Sequence, residues 1–216
     1  MGLVPRENLE TLLGPIPEER LSLLERYVRV LKASSRRFGL VSQRDEERLG
    51  EHLIDSASIL ALDGIDARLA AGELADLGTG GGLPGVVLAI LRPGINVALV
   101  DSRRSRIVFL KQLVQDLELA NVRIVHERIE HIPEEERFAN ATARALGRIE
   151  DVLAPSLGVI RPGGRLFLYK GPAWVDERER AIGVARRSGA VLEEEVAVAL
   201  ADLDRATTFV VFHVKQ

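Results

Sequence analysis

Between residues 17 and 38, Leu21, Leu24, Tyr27, Val28 and Leu31 recur at steps of three and four, with charged residues between them. That spacing predicts an amphipathic helix with one apolar stripe. Residues 44–62 repeat the pattern more loosely through Leu49, Leu53, Ile54, Ala57 and Leu60, and predict a second helix. From residue 73 the texture changes to short β-rich runs separated by helical ones. The strand candidates are ELADLG (73–78), NVALVD (96–101), VRIVHE (122–127), ATARAL (141–146) and RLFLYKG (165–171). Alternating strands and helices predict an α/β fold with a mostly parallel, doubly wound sheet. The tail differs, because GAVLEEEVAVAL (189–200) and ATTFVVFHVKQ (206–216) are joined only by ADLDR (201–205), too short for a crossover helix. An antiparallel pair should therefore close the sheet. With no internal repeat, the expectation is a single domain over residues 1–216: a helical N-terminal extension (1–70) and a Rossmann-like cofactor-binding core (71–216).

Length and composition agree with one buried core: 216 residues, 46% hydrophobic and 28% charged. A net charge of −3 excludes the globally basic chain of a non-specific nucleic-acid coat but leaves room for a local basic face. The absence of cysteine removes disulfides, thiolate metal sites and a cysteine nucleophile. No run approaches the roughly 20 apolar residues of a membrane span, and no basic segment followed by an apolar stretch opens the chain. A soluble, non-exported, cytoplasmic protein without membrane contact is expected.

Chemistry concentrates in ELADLGTGGGLPGVVLAILRPG (73–94), which carries six glycines. The stretch follows one strand and opens one helix, with Pro84 near the first helical turn, where a missing N–H costs nothing. Gly78, Gly80 and Gly82 let a ligand approach the main chain beyond the carboxyl ends of the strands. Asp101 ends the next strand, where a carboxylate can accept hydrogen bonds from both hydroxyls of a ribose. Gly80, Gly82 and Gly85 also satisfy the G-x-G-x-x-G pattern of dinucleotide-binding proteins, a weak match when alone. Asp76 separates the two readings: at the strand end its charge suits an amino-acid ammonium and repels a pyrophosphate. S-adenosylmethionine is therefore preferred over a nicotinamide dinucleotide. A glycine-rich turn without ligand, a nicotinamide-dependent oxidoreductase and a non-catalytic binding module remain as alternatives.

The stretches DLGTGGGLPG (76–85), VDSRRSRIVFLKQL (100–113), HERIEHIP (126–133), ARAL (143–146) and LFLYKG (166–171) resemble, in order and spacing, the RsmG (GidB) family of ribosomal RNA methyltransferases. The likeness runs from about residue 20 to the C-terminus. It implies a Rossmann-like class I methyltransferase that uses S-adenosylmethionine to methylate guanine N7 in 16S rRNA, acting as a monomer on small-subunit particles. Cofactor contacts carried over from the family fall on Gly78, Leu83, Asp101, Ser102, Arg103, Ile129, Glu130 and Arg144. Ile129 and Glu130 also admit a plainer reading, as core and as part of the acidic run that comes after them. Arg144 stands among small apolar residues at a strand end, a costly place for a charge unless it is paired or faces a cleft, and a cleft is favoured over a salt bridge. Arg36, Arg37 and Lys170 are the candidate RNA contacts, with Arg44 and Arg48 beside the first two; a solvated helix face is the alternative. Two departures fall in this region: Gly39, Leu40 and Val41 replace the family's usual Asn-Leu-Thr, and Glu51 replaces an arginine before the H..DS motif, of which His52, Asp55 and Ser56 are present. No acid, base, nucleophile or metal site is expected, because guanine N7 already carries a lone pair and His52, His126, His131 and His213 are scattered. Catalysis should rest on positioning.

Overall fold

The computed structural model describes residues 3–200, 203 and 205–216. Five helices precede the sheet: α1 (Arg6–Leu13), α2 (Glu18–Phe38), α3 (Gln43–Glu46), α4 (Leu49–Ala57) and α5 (Ile65–Ala70). The strands are β1 (Leu74–Leu77), β2 (Val97–Asp101), β3 (Val122–His126), β4 (Phe138–Arg144), β5 (Ile160–Lys170), β6 (Ala190–Leu200) and β7 (Arg205–Val214). Between them run α6 (Gly85–Leu91), α7 (Arg104–Asp116), α8 (Ile149–Gly158) and α9 (Trp174–Arg187). Among the described residues no helix is long and apolar enough to cross a membrane.

The seven strands form one sheet in the order β3-β2-β1-β4-β5-β7-β6. Strands β1 to β5 pair in parallel, and β7 runs antiparallel to both β5 and β6. The expected antiparallel closure is present; residues 201, 202 and 204 of its connection lie outside the described residues. Chain order reverses between β1 and β4. That makes the crevice beyond their carboxyl ends the natural ligand site.

Alternation along the strands divides the core in two. Leu74, Val97, Leu99, Phe167, Phe209 and Val211 face a layer containing α1, α2, α4, α6 and α7. Ala75, Leu77, Val100, Leu166, Val210 and Phe212 face α8 and α9. Every residue of α6 is buried, because α2 and α4 cover the side of it that would otherwise meet water. The N-terminal helices thus share the core of the strands and lie over the helix that the glycine loop opens.

Two sequence expectations need correction. The helix predicted over 44–62 is broken into α3, α4 and a 3₁₀ turn at Ser58–Ala61. Ser42 Oγ caps α3 by accepting from the Asp45 amide at 3.2 Å, and the Ser58 hydroxyl donates to the Asp55 carbonyl at 2.7 Å, favouring the tighter turn after α4. Strand β5 begins at Ile160, five residues before the predicted run. Its glycine-rich start is tolerated because a register shift separates the Phe138 and Asn140 pairings, and Asn140 bridges the gap: its side chain accepts from the Arg165 amide at 3.1 Å and donates to the Arg68 carbonyl at 2.8 Å. Gly164 is required there, since a Cβ would stand 2.2 Å from the Ala139 carbonyl oxygen.

Candidate functional site

Beyond β1 the chain turns sharply, and the amides of Gly78 and Thr79 both donate to the Val100 carbonyl, at 2.9 and 3.0 Å. Asp76 organises the glycine loop. Its Oδ2 accepts from the Thr79 hydroxyl at 2.6 Å and from the Gly85 amide at 2.8 Å, tying β1 to both the loop and the start of α6. Gly85 permits this approach, because a Cβ would lie 2.4 Å from a Leu99 methyl and 2.7 Å from Asp76 Oδ2. The other carboxylate oxygen, Oδ1, is buried without a hydrogen-bond partner among the described residues, and Asp76 as a whole is 1% exposed. Burial pushes its pKa up to about 6, against the opposing pull of the Thr79 and Gly85 bonds and of the Arg144 charge. A buried anion with one unused oxygen is what a cationic ligand group would complete. Tyr27 closes the loop from the other side, its hydroxyl donating to the Gly81 carbonyl at 3.1 Å.

Asp101 is the second tie and is 4% exposed. Its Oδ2 accepts from the Gly80 amide at 3.0 Å and from Arg106 Nη1 at 3.1 Å, while Oδ1 accepts from the Arg103 amide at 2.9 Å. Beside it opens a cleft of about 370 Å³ that brings together Gly78, Asp101, Ser102, Arg103, Ile129 and Glu130. Those six sequence candidates come from the ends of β1, β2 and β3, as the topology requires. Asp76, Gly80, Gly82, Leu83 and Arg144 do not line that cleft: Leu83 is half-buried against the first core layer, and the other four stand around the loop. Gly80 has φ +59°, and the space where a Cβ would go is bounded at ordinary contact distance, 3.8 Å, by Arg106 Nη1 and the Gly78 carbonyl oxygen. Gly80→Val is expected to abolish cofactor binding through a strained φ and a branched side chain filling that space. Calorimetry on a folded variant checks it, and unchanged affinity moves the site elsewhere.

Arg144 corrects the expectation of a charge facing an open cleft. Its side chain is 14% exposed and pairs with Asp55, Nε to Oδ2 at 2.8 Å. Nη1 donates to Ser56 Oγ at 3.0 Å, and Nη2 lies 2.5 Å from His52 Nδ1. The partners all sit on α4, in the H..DS motif. A guanidinium so enclosed is stable only when paired, and α4 supplies the pairing. Lys170 ends β5 but its ammonium pairs with Glu177 on α9 and lies 5.8 Å from the Trp174 ring. Arg36 and Arg37 are exposed in the last turn of α2, with Arg37 5.0 Å from the Phe38 ring centre. Arg44 is exposed, whereas Arg48 leaves the expected basic cluster, because Glu51 binds it at 2.6 Å. Sequence reasoning missed Tyr27, Thr79 and Arg106 as loop ties. Only their spacing from a glycine run marks them, and spacing carries no sign of a contact.

A doubly wound sheet with this strand order, a glycine loop at its switch point, and an acidic residue near the carboxyl end of β1 and at that of β2 define a class I Rossmann-like methyltransferase. The chain belongs to the rRNA small subunit methyltransferase G family, whose model matches residues 20–199. Ribosomal RNA small subunit methyltransferase G of a Nocardioides species is 37% identical over 194 residues, covering 89% of this chain and 75% of that protein. The protein of the same name from Carboxydothermus hydrogenoformans is 32% identical over 184 residues, 83% of this chain and 77% of that one. Among solved structures, the CcbJ methyltransferase from Streptomyces caelestis shares the fold with a TM-score of 0.60 at 14% identity, over 76% of this chain and 90% of that one.

Proposed function

We propose that this protein methylates guanine N7 in 16S rRNA, with S-adenosylmethionine as donor and the small-subunit particle as substrate. The observation that supports the donor is the buried Asp76 carboxylate, whose Oδ1 has no partner among the described residues, at the root of the glycine loop that borders the nucleoside cleft, a fit for an ammonium. Family membership carries the acceptor. In this reading Asp101 holds the ribose hydroxyls, Ser102 and Arg103 flank them, and Ile129 and Glu130 border the adenine. Gly78 completes that cleft wall, and Leu83, Gly82 and Arg144 support the loop from outside it. Bound there, S-adenosylmethionine supplies a methyl group already activated by a sulfonium.

The chain's own task is therefore orientation and the exclusion of water. Guanine N7 brings its own lone pair, so no residue has to remove a proton, and the residues named above act by fixing approach and distance. We infer that the chain works as one domain and one copy in the cytoplasm, with residues 1–70 and the carboxyl edge of the sheet meeting the RNA and the core of 71–216 holding the donor. Mass spectrometry of 16S rRNA from cells with and without the gene tests the assignment. Loss of one methylguanine is expected; an unchanged methylation profile overturns it. Calorimetry should also show binding of S-adenosylmethionine and not of NADH, whose pyrophosphate Asp76 repels.

Arg36 and Arg37 are the RNA contacts of this reading, with Lys170 nearer the methyl-transfer site. A catalyst that works by positioning needs binding energy far from the reacting atom, and phosphates supply it. Replacing both arginines by alanine is expected to weaken binding to the substrate particle and to lower the slope of log affinity against log salt by roughly 1–2. Affinity for the donor should stay at the parental value. If the double variant binds and methylates like the parent at every salt concentration, those arginines are a solvated helix face.

A further inference from the structure

The H..DS motif is the one sequence feature that the proposed reaction leaves without a task. All three of its residues meet one side chain. Asp55 Oδ2 forms an ion pair with Arg144 Nε at 2.8 Å, while Ser56 Oγ accepts from Nη1 at 3.0 Å and His52 Nδ1 from Nη2 at 2.5 Å. The cradle is itself anchored on the sheet: the Tyr169 hydroxyl of β5 donates to the Ser56 carbonyl at 2.8 Å, and the Thr207 hydroxyl of β7 bonds the other oxygen of Asp55. A guanidinium has five N–H donors. Two of them are taken by hydrogen bonds to α4, one on each terminal nitrogen, and Nε forms the ion pair with Asp55. Arg144 ends β4, which pairs with β1, and the next two residues, Ala145 and Leu146, line the cleft; its positive charge is felt at both Asp76 and Tyr27.

We propose that Asp55, His52 and Ser56 are positioning residues that hold the Arg144 guanidinium at the carboxyl end of β4, next in the chain to Ala145 and Leu146 of the cleft wall, for use by the cofactor site. The inference rests on the reading that Arg144 serves that site. A guanidinium matches a carboxylate, the chemistry of the donor's methionyl end. The bond from Nη2 also fixes the state of His52. Arginine can only donate, so Nδ1 must be unprotonated and the ring proton must lie on Nε2, which is 3.4 Å from Asp45 Oδ1. The charged groups around the ring are Asp45 from α3, Glu51 and Asp55 from α4, and Arg144 from β4. Burial and the Arg144 charge together hold the imidazole below its ordinary pKa of 6.5, so it is neutral when the cradle is formed.

Calorimetry with S-adenosylhomocysteine on Asp55→Asn, Arg144→Gln and the double variant tests the proposal. Asp55→Asn is expected to lose about tenfold or more in affinity, and the double variant to bind no worse than Arg144→Gln alone. Full affinity in Asp55→Asn beside a loss in Arg144→Gln overturns the positioning role while sparing the cofactor-site reading. Full affinity in Arg144→Gln overturns both. Should Asp55→Asn fail to fold, His52→Asn, which keeps an acceptor near the Nδ1 position, is expected to bind like the parent where His52→Ala does not. Nitrogen NMR of the unliganded protein gives a readout independent of the donor. His52 should appear as the Nε2–H tautomer, titrate below 6.5 in the parent and rise in Arg144→Gln. A protonated Nδ1, or a titration unmoved by Arg144→Gln, refutes the cradle.

Discussion

Asp76→Asn is expected to be no less stable than the parent at pH 7 while losing about 10- to 150-fold in affinity for S-adenosylmethionine, the equivalent of about 1.5–3 kcal/mol for a charge-assisted hydrogen bond. The two effects come from the same burial. Raising the carboxyl pKa from 3.8 to about 6 penalises the charged form by about 3 kcal/mol in the unliganded protein. Because the folded value is the higher one, the folded state binds more protons than the unfolded chain between those pH values. The contribution to stability is full below pH 3.8 and is lost as pH rises through about 6. An asparagine has no such loss, and its amide oxygen can still accept from Thr79 and Gly85. The ammonium of the ligand needs the anion, so parental affinity should fall as pH drops below about 6, whereas that of Asp76→Asn should lack this limb. Calorimetry with S-adenosylhomocysteine between pH 5 and 8 reads this directly. Equal affinities for parent and variant at pH 7 would remove Asp76 from the site.

The strands that position this chemistry are legible because buried parallel strands are short apolar runs bounded by turn residues. NVALVD fits that description, and VRIVHE, at the sheet edge with only Val125 buried, is marked by its β-branched residues; each predicts its strand to within one residue at either end. Legibility fails where tertiary contacts override local pattern. Residues 44–62 carry apolar positions at tolerable helical spacing, yet the Ser42 side chain caps the short α3 ahead of them and the Ser58 hydroxyl bonds the backbone where α4 gives way to the 3₁₀ turn. The site divides in the same way. Gly78, Asp101 and Ile129 are dictated by topology, since each ends or succeeds a strand at the switch-point edge. Gly85 belongs to the glycine pattern, but its contacts are with Leu99 and Asp76, and it serves close packing of helix on strand. Arg144 is misread from sequence because its partners lie 88 and 92 residues away in Ser56 and His52, and no local pattern reports which distant helix will cover a strand end.

Asp101→Ala should weaken S-adenosylmethionine binding by at least 1.5–3 kcal/mol, roughly 10- to 150-fold, and should also lower the melting temperature. The ribose accounts for the first effect, because its hydroxyls lose a charged acceptor. The second arises from the three donors that the carboxylate already serves: the amides of Gly80 and Arg103 and the guanidinium of Arg106. Arg106 Nε is itself buried without a partner among the described residues, so removing Asp101 leaves a poorly hydrated cation beside two unpaired amides. A cost of about 1–3 kcal/mol for such orphaned groups lowers the Tm of a chain this size by several degrees. Asp101→Asn separates the contributions, since one amide oxygen can still accept from the loop while the charge is lost. It should recover much of the melting temperature and little of the affinity. If both variants melt below the parent and bind S-adenosylhomocysteine as tightly as it does, Asp101 only ties the loop to α7, and the ribose must be held by another acceptor along the cleft, with Glu130 the first to replace.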